Sequence, residues 1–217
     1  HRAEERNRGE RPDIGWGRFD LDPMRLITCD DEEATVVYQG ELPIGEFLRV
    51  PIPLPNVSLA GKITLTASLV IAPDVDPQHP DVYTRGGLEV FFRPNSTKFE
   101  KKDDGSYRDD PATMSFFSDT NLYMAPEYKR RLAGYKWEPC LKQSQKHFSK
   151  TLSDPFFDVY YNHRYCGAKA QDPEPIPYAL IVSLRSNNCT NLYDEVVRTY
   201  SNVLVPIRPK VRIKLKT

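Results

Sequence analysis

The stretch Ile63-Thr64-Leu65-Thr66-Ala67-Ser68-Leu69 decides the fold class of this chain. Its odd positions carry apolar side chains and its even positions carry hydroxyl side chains. One face of an extended strand would therefore lie in a core and the other in water. Gly61 precedes the stretch and Pro73 follows it shortly. The pattern predicts a half-buried β-strand with a turn at each end.

Further segments of the chain share this strand character, which gives about eight strands at a spacing typical of a sandwich. Proline is frequent, at 19 of 217 residues, whereas a usual share is about 5%. Prolines disfavour long helices because each removes a helix hydrogen bond and clashes with the preceding turn. We therefore predict an all-β fold, a two-sheet antiparallel β-sandwich with jelly-roll topology. The other predicted strands are 35–39, 47–50, 87–92, 114–117, 156–161, 178–184 and 211–216.

Two short helices are predicted beside the sheets. Residues 126–133 begin with Pro and Glu and end at Gly134, as helices often do. Residues 191–200 place Leu192, Val196 and Tyr200 on one helix face, after an N-cap candidate in Asn191. We expect the second helix to cover one end or edge of a sheet.

The domain organisation follows from a change in composition. The first eleven residues, HRAEERNRGER, are almost wholly polar, so we predict a linker or tail over 1–12 and one sandwich domain over 13–217. Because the chain begins with His1 and not Met, we expect it to be a piece of a longer protein. The charged segment 95–111 is predicted to be an exposed loop.

Charge, hydropathy and cysteine content bound the function classes. Thirty basic and thirty acidic residues give a formal net charge of zero, which argues against a nucleic-acid module that binds by surplus positive charge. No apolar run approaches the roughly 20 residues of a membrane span, so no membrane association is expected. The four cysteines form no CxxC pair, and their low density favours free thiols in the cytoplasm over disulfides.

The best metal candidate in the sequence is an acidic turn around His79. Asp74, Asp76 and Asp81 offer hard oxygen ligands there. Their spacing matches no calcium loop, so the preferred interpretation is a Pro-rich turn whose aspartates bond their own backbone. His163, at a predicted strand end, is interpreted as a packed or surface residue. No nucleophile elbow, HExxH, P-loop or GxGxxG motif occurs, so we predict no catalytic residues and no cofactor.

A second acidic turn, Asp30-Asp31-Glu32-Glu33, precedes a predicted strand. Its simplest interpretation is a solvated turn, and the alternative is a docking charge for a partner. The 22 tyrosines and phenylalanines lie mainly inside the predicted strands, which favours core packing. They leave open a carbohydrate- or ligand-binding sandwich as an alternative function.

Several segments together resemble the region after the catalytic domain of bacterial subtilisin-like serine proteases, in the group encoded beside an AAA ATPase and linked with plasmid incompatibility and phage defence. The resemblance covers nearly the whole chain. The segments that carry it are Gly15–Arg18, Tyr38–Gly40, Pro51–Pro55, Tyr83–Pro94, Lys136–Glu138 and Tyr178–Leu180.

The resemblance implies an accessory role for this chain. The strings that carry the subtilase Asp, His and Ser do not occur here, so no triad residue has a matching position. The chain would be the noncatalytic C-terminal β domain of a serine endopeptidase. It would stabilise or regulate its own upstream protease domain, or dock a partner such as the AAA ATPase.

Overall fold

Two antiparallel sheets of four strands each, packed face to face, form the body of the chain in a computed structural model. The structure describes residues 28–76, 78, 84–96, 99–101, 103, 105, 107–109, 114–117, 138–164 and 173–205. The predicted linker 1–12, the predicted helix 126–133 and the predicted strand 211–216 lie outside these residues.

Ten strands and one α-helix are present in the described residues. Seven of these strands overlap segments that were predicted as strands from the sequence. The strands are β1 Glu33–Leu42, β2 Phe47–Pro51, β3 Lys62–Ile71, β4 Gly86–Arg93, β5 Phe99–Lys101, β6 Tyr107–Asp109, β7 Met114–Ser115, β8 Cys140–Phe148, β9 Phe156–His163 and β10 Ile176–Arg185. The helix, α1, spans Leu192–Thr199, and a short 3-10 turn spans Ser149–Thr151.

The strand order is that of a jelly roll. Sheet one has the order β1-β10-β3-β8 and sheet two the order β2-β9-β4-β7. From β1 to β4, and again from β7 to β10, each strand lies in the sheet opposite to its predecessor. Successive strands thus build both layers together, as two interleaved Greek keys do. This confirms the all-β sandwich and the jelly-roll topology expected from the sequence.

The core lies between the two sheets, and β3 supplies it in the predicted way. Ile63, Leu65, Ala67 and Leu69 are all buried, and the intervening Thr64 and Thr66 are only partly covered. Ser68, which was also predicted to face water, is buried. Sheet two contributes aromatic rings, which pack edge-on or tilted because their quadrupoles disfavour a direct sandwich. The three central rings, separated by 5.0 to 6.0 Å between centroids, are Phe92, Phe116 and Phe157.

Helix α1 covers the edge of sheet one at β1, in agreement with the prediction. Leu192 and Val196 are buried on its inner face, and the amide of Leu192 donates to the carbonyl of Asp31, just before β1. Asn191 precedes the helix but does not cap it in the usual way. Its side-chain amide instead donates to Glu195 Oε1 at 3.0 Å.

Two tyrosine hydroxyls hold the proline-rich connection after β2. Tyr38 donates to the carbonyl of Pro51 at 2.7 Å, and Tyr200 donates to the carbonyl of Leu54 at 2.9 Å. Burial, with a smaller contribution from Tyr200, raises the pKa of Tyr38 to about 12. The prolines donate no ladder bonds, so side chains take over part of the task of fixing this segment.

Two sequence expectations differ from the structure. The segment 95–111 was expected to be an exposed loop, but it contains the paired strands β5 and β6. Strand β8 was not predicted, because its inward positions Gln143, Gln145 and His147 are polar and break the apolar alternation. Their register against β3 supplies the ladder bonds that make the segment a strand.

Gly86, the first residue of β4, provides a test of packing. A Cβ at this position would lie 2.6 Å from Ile176 Cδ1 and 2.9 Å from Tyr161 Cε2. We expect Gly86→Ala to lower the free energy of unfolding by about 1–3 kcal/mol through overpacking, measured by urea denaturation. Adding Ile176→Val removes Cδ1 and should recover part of the loss. We therefore expect the double variant to lose less free energy of unfolding than the two single variants lose in sum. A loss equal to that sum or larger would contradict this explanation.

Candidate functional site

The predicted acidic turn before β4 is organised by an arginine. Arg85 Nη2 donates to Asp76 Oδ2 at 2.7 Å, and both side chains are almost fully buried. The other oxygen of Asp76, Oδ1, accepts the amide of Gln78, the self-bonding predicted for this turn. Asp74 contributes its backbone carbonyl, which accepts the amide of Arg85. Asp76 is therefore an ion-pair partner of Arg85.

The metal hypothesis gains no support from this arrangement. Asp81 and His79 lie outside the described residues. Among the residues that the structure does describe, no three His, Cys, Asp or Glu side chains come together as a metal-binding group.

The acidic turn at 30–33 faces Arg185 at the end of β10. Oxygens of Asp30, Glu32 and Glu33 lie 3.5, 3.9 and 3.8 Å from the Arg185 guanidinium nitrogens. Exposed pairs of this kind contribute little stability singly, although Glu33 is buried. Asp31 supplies the carbonyl that meets α1. The structure gives the turn an internal role, and its docking role stays a prediction.

The two described histidines lie in different environments. His163 ends β9, and burial together with the nearby Arg85 charge lowers its pKa. His147 points into the sandwich from β8, with its ring 4.7 Å from that of Phe92. Burial lowers the pKa of His147, and its Nε2 has no hydrogen-bond partner in the described part of the chain.

The strongest candidate for an interaction site is on the outer face of sheet two. There, side chains from β2, β9 and β4 stand side by side, because the register places Arg49 opposite Asp158 and Asp158 opposite Phe91. Alternate residues of β9, such as Phe157 and Val159, point into the core. We call this surface the arginine–aromatic face; it consists of Phe47, Arg49, Phe91, Arg93, Phe156, Asp158 and Tyr160.

A buried carboxylate organises the face. Asp158 Oδ1 accepts Arg49 Nε at 2.9 Å, and Asp158 Oδ2 accepts Arg93 Nε at 2.5 Å. The Asp158 side chain is 1% exposed, compared with 11% for Arg93 and 53% for Arg49. Charge-assisted bonds to both oxygens fix the two guanidinium groups in place.

Aromatic rings complete the face. Tyr160 stacks on Phe47 at 5.8 Å and meets Phe91 edge-on at 5.6 Å. The guanidinium of Arg49 lies over the Phe156 ring at 4.0 Å, within the range of a cation–π contact. Phe47 remains 56% exposed. The surface is therefore partly apolar and held rigidly by cross-strand contacts.

The outer face of sheet one has a different character. A row of hydroxyls crosses it, in which Thr35 pairs with Ser183 at 2.5 Å and Thr66 with Ser144 at 2.7 Å. On the same face Ser68 and Ser183 are buried, and Val37 and Val70 are exposed. The outer face of sheet two differs from it in its contacting aromatic rings and guanidinium groups.

Sequence reasoning missed the residues of the arginine–aromatic face as a site. They come from three strands that are distant in sequence, and only the cross-strand register brings them together. The one available signal was the alternation of Glu89, Phe91 and Arg93 on the solvent side of β4.

The two arginines should contribute unequally to stability. Replacing Arg93 by Met leaves the buried Asp158 with one partly exposed partner, so we expect a loss of about 2–3 kcal/mol in the free energy of unfolding. Arg49→Met, the matched variant, should cost less than about 1 kcal/mol. Chemical denaturation of both variants measures the difference, and equal losses would contradict this account of Asp158.

Stability should also fall in mild acid. The folded pKa of His147 is below its ordinary value of 6.5, so the unfolded chain binds more protons as the pH drops through 6.5. His163 acts in the same direction. We expect the free energy of unfolding to decrease from about pH 7.5 to 5.5, and His147→Gln to flatten this slope. Denaturation curves at each pH check this, and an unchanged slope in His147→Gln would contradict it.

Comparison with known proteins gives only distant similarities to solved structures. No protein-family model and no curated protein matches this chain. The crystal structure of the infectious bursal disease virus VP2 subviral particle is 13% identical with a TM-score of 0.38, covering 83% of this chain and 39% of that chain. The Tobacco streak virus coat protein dimer is 8% identical with a TM-score of 0.30, covering 73% and 89%.

This chain thus spans about 39% of the length of the VP2 chain that it resembles. At such identities and scores nothing about function follows from the similarity. The jelly-roll assignment rests on the strand order of this chain. No helix in its described part is long and apolar enough to cross a membrane.

Proposed function

We propose that this chain is a noncatalytic β-sandwich accessory domain that binds a protein partner through the arginine–aromatic face. The observation that carries the proposal is the cluster of Phe47, Phe91 and Tyr160 beside the Arg49–Asp158–Arg93 ion pairs. Tyrosine, phenylalanine and arginine are the residues in which the centres of protein interfaces are enriched.

The rigidity of the face supports this role. Its rings stand on strands of a closed sandwich, and the guanidinium groups are fixed by Asp158, so little side-chain freedom is lost on association. An exposed phenylalanine alone would be unremarkable. Here, however, Phe47 contacts further aromatic rings, and arginine side chains lie beside them. Together they form an apolar patch with a polar rim, which is typical of protein interfaces.

The charge of the face favours a protein partner over nucleic acid. Arg49 and Arg93 are both engaged by Asp158, and Glu89 adds a second carboxylate opposite Tyr160. The surface has no surplus of positive charge to release counterions from phosphates. A partner with mixed apolar and polar chemistry matches it better.

The partner that we propose comes from the resemblance of the sequence to bacterial subtilisin-like serine proteases. That partner is the upstream catalytic domain of such a protease, which this domain would stabilise or regulate. An AAA ATPase would be a further partner. The parent protein would act in the cytoplasm. This proposed location rests on the low cysteine density of the sequence.

The reading frame upstream of His1 gives the first test. We expect it to encode a catalytic domain with the Asp, His and Ser motifs of subtilases. Sequencing of the genomic locus decides this, and an upstream frame without those motifs would remove the protease from the proposal.

The face itself is tested by binding. This chain is added in trans to the catalytic domain, and the affinity is measured by calorimetry. Phe47→Ala should weaken binding by about 2 kcal/mol, or roughly 30-fold, if Phe47 is a central contact. Phe148→Ala is the matched control, because Phe148 ends β8 in the other sheet and is 49% exposed. Equal effects of the two variants would argue against the arginine–aromatic face.

The stacked pair of Phe47 and Tyr160 also favours the second candidate function, a carbohydrate- or ligand-binding module, because partly exposed rings can stack on a sugar. We expect a glycan array to separate the two functions. Retention of a glycan that Phe47→Ala releases would favour this alternative over the protein partner.

A further inference from the structure

A second candidate site lies at the end of sheet two, around Arg85. The backbone of Arg85 is held on both sides, because its amide donates to Asp74 and its carbonyl accepts the amide of Arg164, each within 2.9 Å. Its side chain is only 4% exposed. The guanidinium is therefore buried in a fixed position just before β4.

The hydrogen-bond needs of this guanidinium are only partly met. Nη2 donates to Asp76, but Nε and Nη1 have no acceptor among the described residues. A buried donor without an acceptor costs free energy, and native proteins seldom keep several of them at one place. Arg93, on the same sheet, shows the satisfied alternative with its Nε on Asp158.

The side-chain amide of Asn162, which lies nearby, also has a donor without an acceptor in the described residues. Asn162 stands opposite Gly87, two residues after Arg85, and the Arg164 amide bonded to the Arg85 carbonyl keeps the two chain segments side by side. The Nδ2 atom of Asn162 is buried as well. Gly87 contributes no side chain between them. We call Asp76, Arg85 and Asn162 the Arg85 cluster.

We propose that the Arg85 cluster binds a carboxylate group, which accepts hydrogen bonds from Arg85 and Asn162. The planar fork of a guanidinium matches the two oxygens of a carboxylate. Because Asp76 already offsets the charge of Arg85, a singly charged ligand fits the cluster better than doubly charged phosphate. The proposal is independent of the arginine–aromatic face and of any protease.

Nuclear magnetic resonance of the nitrogen-labelled full chain tests this directly. The Nε–H signal of Arg85, assigned with Arg85→Lys, is followed during titration with sodium acetate against a sodium chloride control of equal ionic strength. We expect a saturable shift with acetate, a weaker effect of phosphate and none of acetamide. An Arg85 signal that does not saturate with acetate, or that follows chloride or phosphate equally, would overturn the proposal.

Two peptides distinguish the sources of the carboxylate. Acetyl-Ala-Glu-Ala-amide offers only an acidic side chain, and acetyl-Ala-Ala-Ala with a free end offers only a terminal carboxylate. A shift with either peptide assigns the site to a protein segment, whereas a shift with acetate alone assigns it to a small free carboxylate.

The variants separate recognition from folding. Arg85→Lys keeps a charge for Asp76 but loses the fork. With the backbone amide signal of Gly87 as the readout in every variant, we expect acetate binding to weaken by ~10-fold or more. Asn162→Ala should weaken acetate binding several-fold. This variant provides the test if Arg85→Lys does not fold. Arg198→Lys, the control on α1, should bind as the unaltered chain does. Unchanged binding in a folded Arg85→Lys or in Asn162→Ala would contradict the assignment.

Discussion

Mutual burial of one apolar face from each sheet is the constraint on which this molecule depends. Neither sheet could bury its apolar inward side chains by itself, because an isolated sheet exposes both faces to water. The alternation in β3 and the rings of Phe92, Phe116 and Phe157 are the two halves of that contact. Once the inner faces are paired, every second residue of each strand is directed outward, and the outer surfaces become available for other tasks.

The two outer surfaces have been used differently. Sheet one carries hydroxyl pairs that satisfy one another, while sheet two carries charge and aromatic area over a buried carboxylate. Two arginines of this region, one in β4 and one just before it, differ in how far their hydrogen-bond donors are satisfied. Arg93 lies in ion pairs that hold the surface rigid, whereas Arg85 is buried with donors that still lack acceptors in the described part of the chain. The first is explained by folding, and the second indicates a ligand.

The fold could be predicted from the sequence to the extent that each strand shows its own alternation. Ile63–Leu69 did so, Tyr178–Leu184 was recognised by its aromatic and branched residues, and the helix at Leu192 showed its apolar stripe. Strand β8 did not, because Gln145 turns inward to donate to the Phe116 carbonyl and needs no apolar side chain there. The arginine–aromatic face could not be predicted, because cross-strand neighbours depend on register and on which strands share a sheet. A local sequence pattern contains neither.

The alternation of successive strands between sheets has a kinetic consequence. No strand of either four-stranded sheet pairs with the strand next to it in the chain, and β1 finds its partner in β10, where Thr35 meets Ser183 across 148 positions. Loop closure must therefore be achieved before the ladder bonds form, which is typical of domains that fold in milliseconds to seconds. During synthesis the edge of β1 stays unpaired until β10 has left the ribosome. The nascent chain is thus exposed to aggregation or to chaperones for most of its translation.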